Sequence, residues 1–180
     1  MANPQYLTKS LFVKAVECPT KLYYLNKDAY SNQKNDDAFL EALAKGGFQV
    51  GTLARCYYPE GVLIKERDYK SSIAKTEELL KRDRVVIFEA AFLYKDCFVR
   101  VDILIKEGKK LKLVEVKSKS YDSNEDEFMG KRGGLISKWK KYIYDISFQK
   151  YVISNAHDEF EVEAHLYLAE KNKKTSIDGL

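Results

Sequence analysis

From Arg84 onward the chain alternates in a way that extended backbone explains and helix does not. Val99, Val101, Ile103 and Ile105 interleave with Phe98, Arg100, Asp102 and Leu104, a period of two that predicts a β-strand. The apolar run Val85 to Leu93 predicts a strand before it, with Tyr94-Lys95-Asp96 as the turn between them. Gly108 marks a second turn, and Leu111 to Val116 a third strand, so two hairpins follow one another. Ser118 to Gly134 is polar and reads as a loop. Leu135, Trp139, Tyr142, Ile146, Gln149 and Ile153 then step by four and three, which places them on one helix face. Phe160, Val162, Ala164, Leu166 and Leu168 alternate with Glu161, Glu163, His165 and Tyr167 as a fourth strand. The pattern predicts an α/β fold whose core runs β-β-β-α-β on a mixed four-stranded sheet.

The first 83 residues read as a helical part. Leu11, Ala15, Cys18 and Leu22 have helical spacing, and Pro19 must bend or restart that helix. Lys27 to Asn35 reads as a loop. Asp36-Asp37 caps a helix carrying Phe39, Leu40 and Leu43, with Gly46-Gly47 as its stop, and a further short helix holds Val50, Leu53 and Ala54. Ser71 or Ser72 caps another, with Ile73, Thr76, Leu79 and Leu80 turned inward. The expected organisation is a single domain, with 1–83 helical, 84–168 the sheet core and 169–180 a tail.

At 180 residues the chain is long enough to bury a core without staples. No window is apolar enough for a transmembrane helix, and the start has neither a basic nor an apolar leader region. The three scattered cysteines, Cys18, Cys56 and Cys97, make no disulfide framework and point to a reducing, cytoplasmic setting. Net charge is +4, but it is unevenly spread: Lys106 to Lys141 holds eleven Lys/Arg against six Asp/Glu. A local basic excess of this kind suits a polyanion such as nucleic acid, although composition alone favours a solvated Lys-rich surface.

Charged residues inside the apolar strands carry the chemistry. Asp102 shares a face with Arg100 on the second strand, and Glu115 shares one with Lys117 on the third. Charges aimed at a packed face are costly unless paired or bound to metal. Two carboxylates on adjacent strands can hold a hard cation such as Mg²⁺ or Mn²⁺, and a neighbouring Lys can steady phosphate charge or position water. Two such carboxylates alone repel, so removing one is expected to cost the fold little. The same residues also suit a salt-bridged sheet edge facing solvent.

In order, the segments Phe88-Glu89-Ala90, Val99-Arg100-Val101-Asp102-Ile103-Leu104 and Leu113-Val114-Glu115-Val116-Lys117-Ser118 resemble the core motifs of the PD-(D/E)XK (restriction-endonuclease-like) nucleases, in their RecB-like branch. Asp145 to Tyr151 resembles that branch's post-core helix motif, with its Gln followed by a Tyr. Upstream, Cys18 to Tyr24 and Gly47 to Arg55 resemble its N-terminal helical part. The resemblance implies a Mg²⁺- or Mn²⁺-dependent deoxyribonuclease. Asp102, Glu115 and the carbonyl of Val116 would hold the metal, Lys117 would position water, and Glu89 and Gln149 would complete the site. It further implies that Lys119, Lys131, Arg132, Lys138, Lys140, Lys141 and Tyr151 track the DNA. A nucleic-acid-binding module that keeps the fold without cleaving is the first alternative, and a protein-interaction domain whose charges are only surface is the second.

The resemblance also has gaps. The region Gly51 to Arg55 lacks the His that many RecB-like nucleases use as a further ligand, and Gln149 to Tyr151 is shorter than the usual Gln-x-x-x-Tyr. Cys18 resembles the first ligand of the branch's four-cysteine iron–sulfur cluster. No Cys follows Cys97, so no cluster is expected here. More narrowly, the chain resembles the N-terminal nuclease module of longer bacterial proteins, which implies either further domains of a longer parent protein as partners or a short stand-alone homologue.

Overall fold

A computed structural model describes residues 6–25, 27, 38–124 and 128–174, with backbone alone for 38–45. Strands β3 (Arg84–Tyr94), β4 (Cys97–Glu107) and β5 (Lys110–Tyr121) form two successive antiparallel hairpins. Their tight turns use left-handed backbone at Lys95 (φ 51°) and Gly108 (φ 57°), the conformation that lets a two-residue loop match strand twist. Helix α5 (Ser137–Ala156) then crosses over to β6 (Glu161–Glu170), which pairs parallel with β5. The crossover is what parallel pairing requires.

The sheet has six strands, not four. Two dipeptides from the N-terminal part join it: β1 (Leu7–Thr8) pairs parallel with β4, and β2 (Val62–Leu63) pairs parallel with β3. Neither is long enough to show a period. The main path runs β2-β3-β4-β5-β6, with β1 off it. Among the described residues no helix is long and apolar enough to cross a membrane.

Apolar side chains cover both faces. On one, Ile87, Val99, Val101, Leu104 and Leu113 pack with Phe148, Val152 and Ile153 of α5 and Leu79 of α4 (Tyr69–Leu80). Helix α1 (Lys9–Glu17) joins them by stacking Phe12 on Phe148 at 4.4 Å. On the other, Val86, Phe88, Ile103 and Val114 pack with Ala54 of α3 (Ala38–Cys56). Each such fully buried side chain contributes about 1.5–3 kcal/mol.

Several boundaries depart from the pattern. Helix α3 runs straight through Gly46-Gly47, because neither glycine takes the left-handed turn that a glycine stop needs. The two expected helices are therefore one. Pro19 does restart the chain, at the first position of α2 (Pro19–Tyr24), where its missing N–H costs nothing. Asp68, not Ser71 or Ser72, caps α4: its Oδ1 accepts the Ser71 N–H at 2.8 Å, while Ser72 is buried and bonds Tyr69 O. Strand β5 continues over Ser118 to Tyr121, and Leu135 bridges Met129 instead of opening α5. The expected loop over 28–35 and the Asp36-Asp37 cap lie outside the described residues, as do the side chains of Phe39, Leu40 and Leu43.

Strict alternation breaks at one place on each of β3 and β4. Val85 and Ile87 lie in the first core, yet so do Ala90 and Phe92, while Val86 and Phe88 lie in the second. On β4, Val99 and Val101 share the first core with Leu104, and Ile103 falls in the second. The alternation inverts at Glu89 and at Asp102. These residues face each other in register, between the pairs Phe88↔Ile103 and Ala90↔Val101. Glu89 carries the strain openly, with φ at 60°.

At the C-terminal end of α5, His157 sits between Glu77 (3.0 Å) and Glu159 (3.1 Å), its ring against Phe92 and Phe160. The Glu77 contact raises its pKa; burial opposes this and Glu159 adds to it. A raised imidazolium contributes stability that is full below the unfolded value of about 6.5 and fades as pH rises through the folded value. Urea unfolding at pH 6 and pH 8.5 should therefore show a larger loss of stability in the parent than in His157→Gln.

Candidate active site

The β4–β5 ladder runs from Glu107↔Lys110 to Ile103↔Val114 and stops there, although β5 continues to Tyr121. Beyond that point the two strands part. Strand β5 stays paired with β6 through Lys117↔Leu168, and the edge that β4 loses is taken further along by β1 at Cys97 and Phe98. Asp102 and Glu115 are the residues next in register at the fork. A cavity of ≈ 380 Å³ opens there, lined among others by Lys9, Arg55, Glu89, Asp102, Glu115 and Lys117.

The fork carries a dense charge network. Glu115, 1% exposed, accepts from Lys9 Nζ (2.9 Å) and Gln149 Nε2 (2.8 Å) at Oε2, and from Lys117 Nζ at Oε1. Asp102 accepts from Lys9 Nζ at Oδ1 (3.3 Å) and from the Val116 N–H at Oδ2 (2.8 Å). That amide bonds a side chain at the point where the ladder to β4 has ended. Asp145, one turn before Gln149 on α5, accepts from Lys117 Nζ and from Gln149 Nε2, each at 2.9 Å. Three carboxylates thus meet two ammonium groups. Gln149 Oε1 is buried without a partner among the described residues.

Burial works against the charges of Asp102, Glu115, Lys9 and Lys117, and their neighbours decide the balance. It pushes Asp102 up, aided by the Glu115 charge and opposed by Lys9, so this carboxyl lies above its ordinary range. Burial also opposes the Glu115 charge, but Lys9 and Lys117 outweigh it and hold that carboxyl low. Both lysines are raised in turn: burial disfavours their charge, and the carboxylates led by Glu115 overcome it.

The arrangement admits a hard cation. One positively charged atom, Lys9 Nζ, lies within 3.3 Å of Asp102 and 2.9 Å of Glu115, so the two carboxylates already share one positive charge. Val116, the expected carbonyl ligand, lines the same cavity. Among the described residues no group of three or more His, Cys, Asp or Glu side chains converges as a metal cage. An ion held by two carboxylates completes its shell with water, as Mg²⁺ commonly does.

Of the expected site residues, the fold brings Asp102, Glu115, Val116, Lys117, Gln149 and Glu89 together. Glu89 is engaged differently from a ligand: it pairs with Arg55 of α3 at 2.6 Å. The expected nucleic-acid residues lie elsewhere. Lys138, Lys140 and Lys141 line a separate groove between α1 and α5, with Val13 and Val16. Lys119 lies over the Trp139 ring at 5.9 Å, and Lys131 and Arg132 are exposed before α5. Tyr151 stands edge-on to Tyr94, beside the β3–β4 turn.

Three residues of the network escape sequence reading. Asp145 leaves a trace, since it and Gln149 are four apart on the buried face of α5. Arg55 sits in the segment that lacks the expected His. Lys9 leaves none, being 93 and 106 positions from its partners.

Lys9 also corrects the expectation that a lost carboxylate costs little. Glu115→Ala leaves two partly desolvated ammonium groups and the Gln149 amide short of an acceptor. Metal-free urea denaturation should show a loss of about 3 kcal/mol, with Glu115→Gln losing less. Comparison with known protein families and with curated proteins gives no match to this chain, so the chemistry of the cavity rests on its own side chains.

Proposed function

We propose that the chain is a metal-dependent nuclease of the PD-(D/E)XK type that hydrolyses DNA phosphodiester bonds. The observation that supports it best is the fork: Asp102 and Glu115, on strands that have just parted, share one cation, with Lys117 against Glu115. In this reading Asp102 and Glu115 hold Mg²⁺ or Mn²⁺, with the carbonyl of Val116 as a further oxygen. When bound, the ion polarises the scissile phosphate and lowers the pKa of water.

The protein's own groups do the rest. Lys117 places its ammonium beside Glu115, where it orients water and offsets charge developing on the phosphate. Asp145 and Gln149 hold Lys117 and Glu115 in position from α5. Arg55, on the cavity wall, offers a planar guanidinium suited to phosphate oxygens. The DNA partner is supported by the basic excess between Lys106 and Lys141, part of which rims the groove holding Lys138, Lys140 and Lys141.

One observation favours the second reading, a binding module that does not cleave: the ammonium of Lys9 lies where the metal would. A cleavage assay on linear and circular, single- and double-stranded DNA with Mg²⁺ or Mn²⁺ separates the two. Lys117→Ala should keep metal and DNA binding and lose about 10²–10³-fold in cleavage rate. A variant that cuts as fast as the parent would rule out the role given to Lys117. Neutralising Lys138, Lys140 and Lys141 together should weaken binding to all sequences alike, and flatten the salt slope by about one for every phosphate no longer neutralised. An unchanged slope would make that groove ordinary solvated surface.

A further inference from the structure

Lys9 is the first residue of α1 and follows directly on β1, whose two residues pair with β4 beyond the fork. That short strand fixes where the lysine stem begins, and the stem runs into the gap between the parted strands. Its ammonium contacts Asp102 Oδ1 at 3.3 Å, Glu115 Oε2 at 2.9 Å and Glu115 Oε1 at 3.2 Å. These oxygens are the same ones that a divalent ion between the two carboxylates would use.

We infer that Lys9 is a built-in counter-cation that competes with divalent metal for the seat between Asp102 and Glu115, and must withdraw before metal loads. The inference rests on the metal-dependent reading above. Metal–oxygen bonds of about 2.0–2.6 Å put the ion inside the volume the ammonium now fills, and two cations so close in a poorly solvated pocket repel strongly. The Glu115 oxygens are also fully engaged: each accepts Lys9 plus one more donor, while Asp102 Oδ2 accepts the Val116 N–H.

The lysine has room to leave. Its side chain is 24% exposed and borders the ≈ 380 Å³ cavity, so rotation of its four-carbon stem moves the ammonium toward solvent without unwinding α1. In the metal-free protein the same ammonium offsets the repulsion between the buried Glu115 and the half-buried Asp102 carboxylates. Lys117 differs in having a second carboxylate, Asp145, which holds it when Glu115 turns to metal. The acceptors of the Lys9 ammonium, among the described residues, are the two metal-binding carboxylates themselves.

The test is Mn²⁺ binding, measured by calorimetry and by the electron paramagnetic resonance of free Mn²⁺, on the parent, Lys9→Met, Lys9→Gln, Lys9→Arg and Glu115→Gln. The neutral variants should bind Mn²⁺ about tenfold tighter than the parent or better, and Lys9→Arg should stay near the parent. Metal-free Lys9→Met should melt below the metal-free parent, and Mn²⁺ should raise its melting temperature by more. Lys9→Gln is the second neutral variant if the methionine form folds poorly. Binding seen only once Lys9 is neutralised also supports the inference. If neither neutral variant binds tighter while Glu115→Gln abolishes binding, the metal site stands and the role of Lys9 falls. If the folded neutral variants and the parent all fail to bind millimolar Mn²⁺, the metal-dependent reading falls with it.

Discussion

The parting of β4 from β5 is the constraint on which the rest of the molecule depends. A continuous ladder would bring the backbones of Asp102 and Glu115 into hydrogen-bonding distance and close the cavity. Because the ladder ends at Ile103↔Val114, both strands have backbone groups to satisfy. Strand β5 turns to β6, β4 turns to β1, and the Val116 amide turns to the Asp102 carboxylate. Each replacement brings a functional group with it: β1 delivers Lys9, and the crossover to β6 delivers Asp145 and Gln149 on α5.

The fork is expensive, and packing on either side of it holds it open. Left-handed backbone at Glu89 costs on the order of 1–3 kcal/mol, and three carboxylates in a half-dry pocket cost more unless paired. Two apolar cores flank these residues, the one under α4 and α5 and the one under α3. Glu89 is further tied to Arg55, so the strained residue is anchored to the helix that walls the cavity. Strain and charge are concentrated where the sheet is least regular, a common arrangement at sites that must be preorganised.

Much of this was legible in the sequence, for physical reasons. Long apolar or alternating strands and a helix with a largely apolar stripe bury large faces, so β3 to β6 and α5 announce themselves. Asp102, Glu115 and Lys117 stand out because charges in apolar strands demand partners. What the pattern hid was set by tertiary context. Dipeptide strands such as Leu7-Thr8 have no period to read. Gly46-Gly47 looks like a stop because local preference is weak against a helix held elsewhere. Lys9 reaches its partners only through the pairing of β1 with β4, a contact between segments about ninety residues apart. The inversion at Asp102 was hidden because Val101 and Ile103 are both apolar, and alternation looks the same whichever core each one enters.

That inversion links the lengths of two strands. Glu89 and Asp102 each shift the phase of their own strand by one residue, and because they are opposite one another the hairpin register survives. Deleting a residue near Glu89 alone would force a choice between the pairing of β3 with β4 and the burial of one strand half. Only a matched change in both strands preserves both. The hairpin is in this sense a locked pair: a change of length within β3 keeps both register and burial only when β4 changes with it.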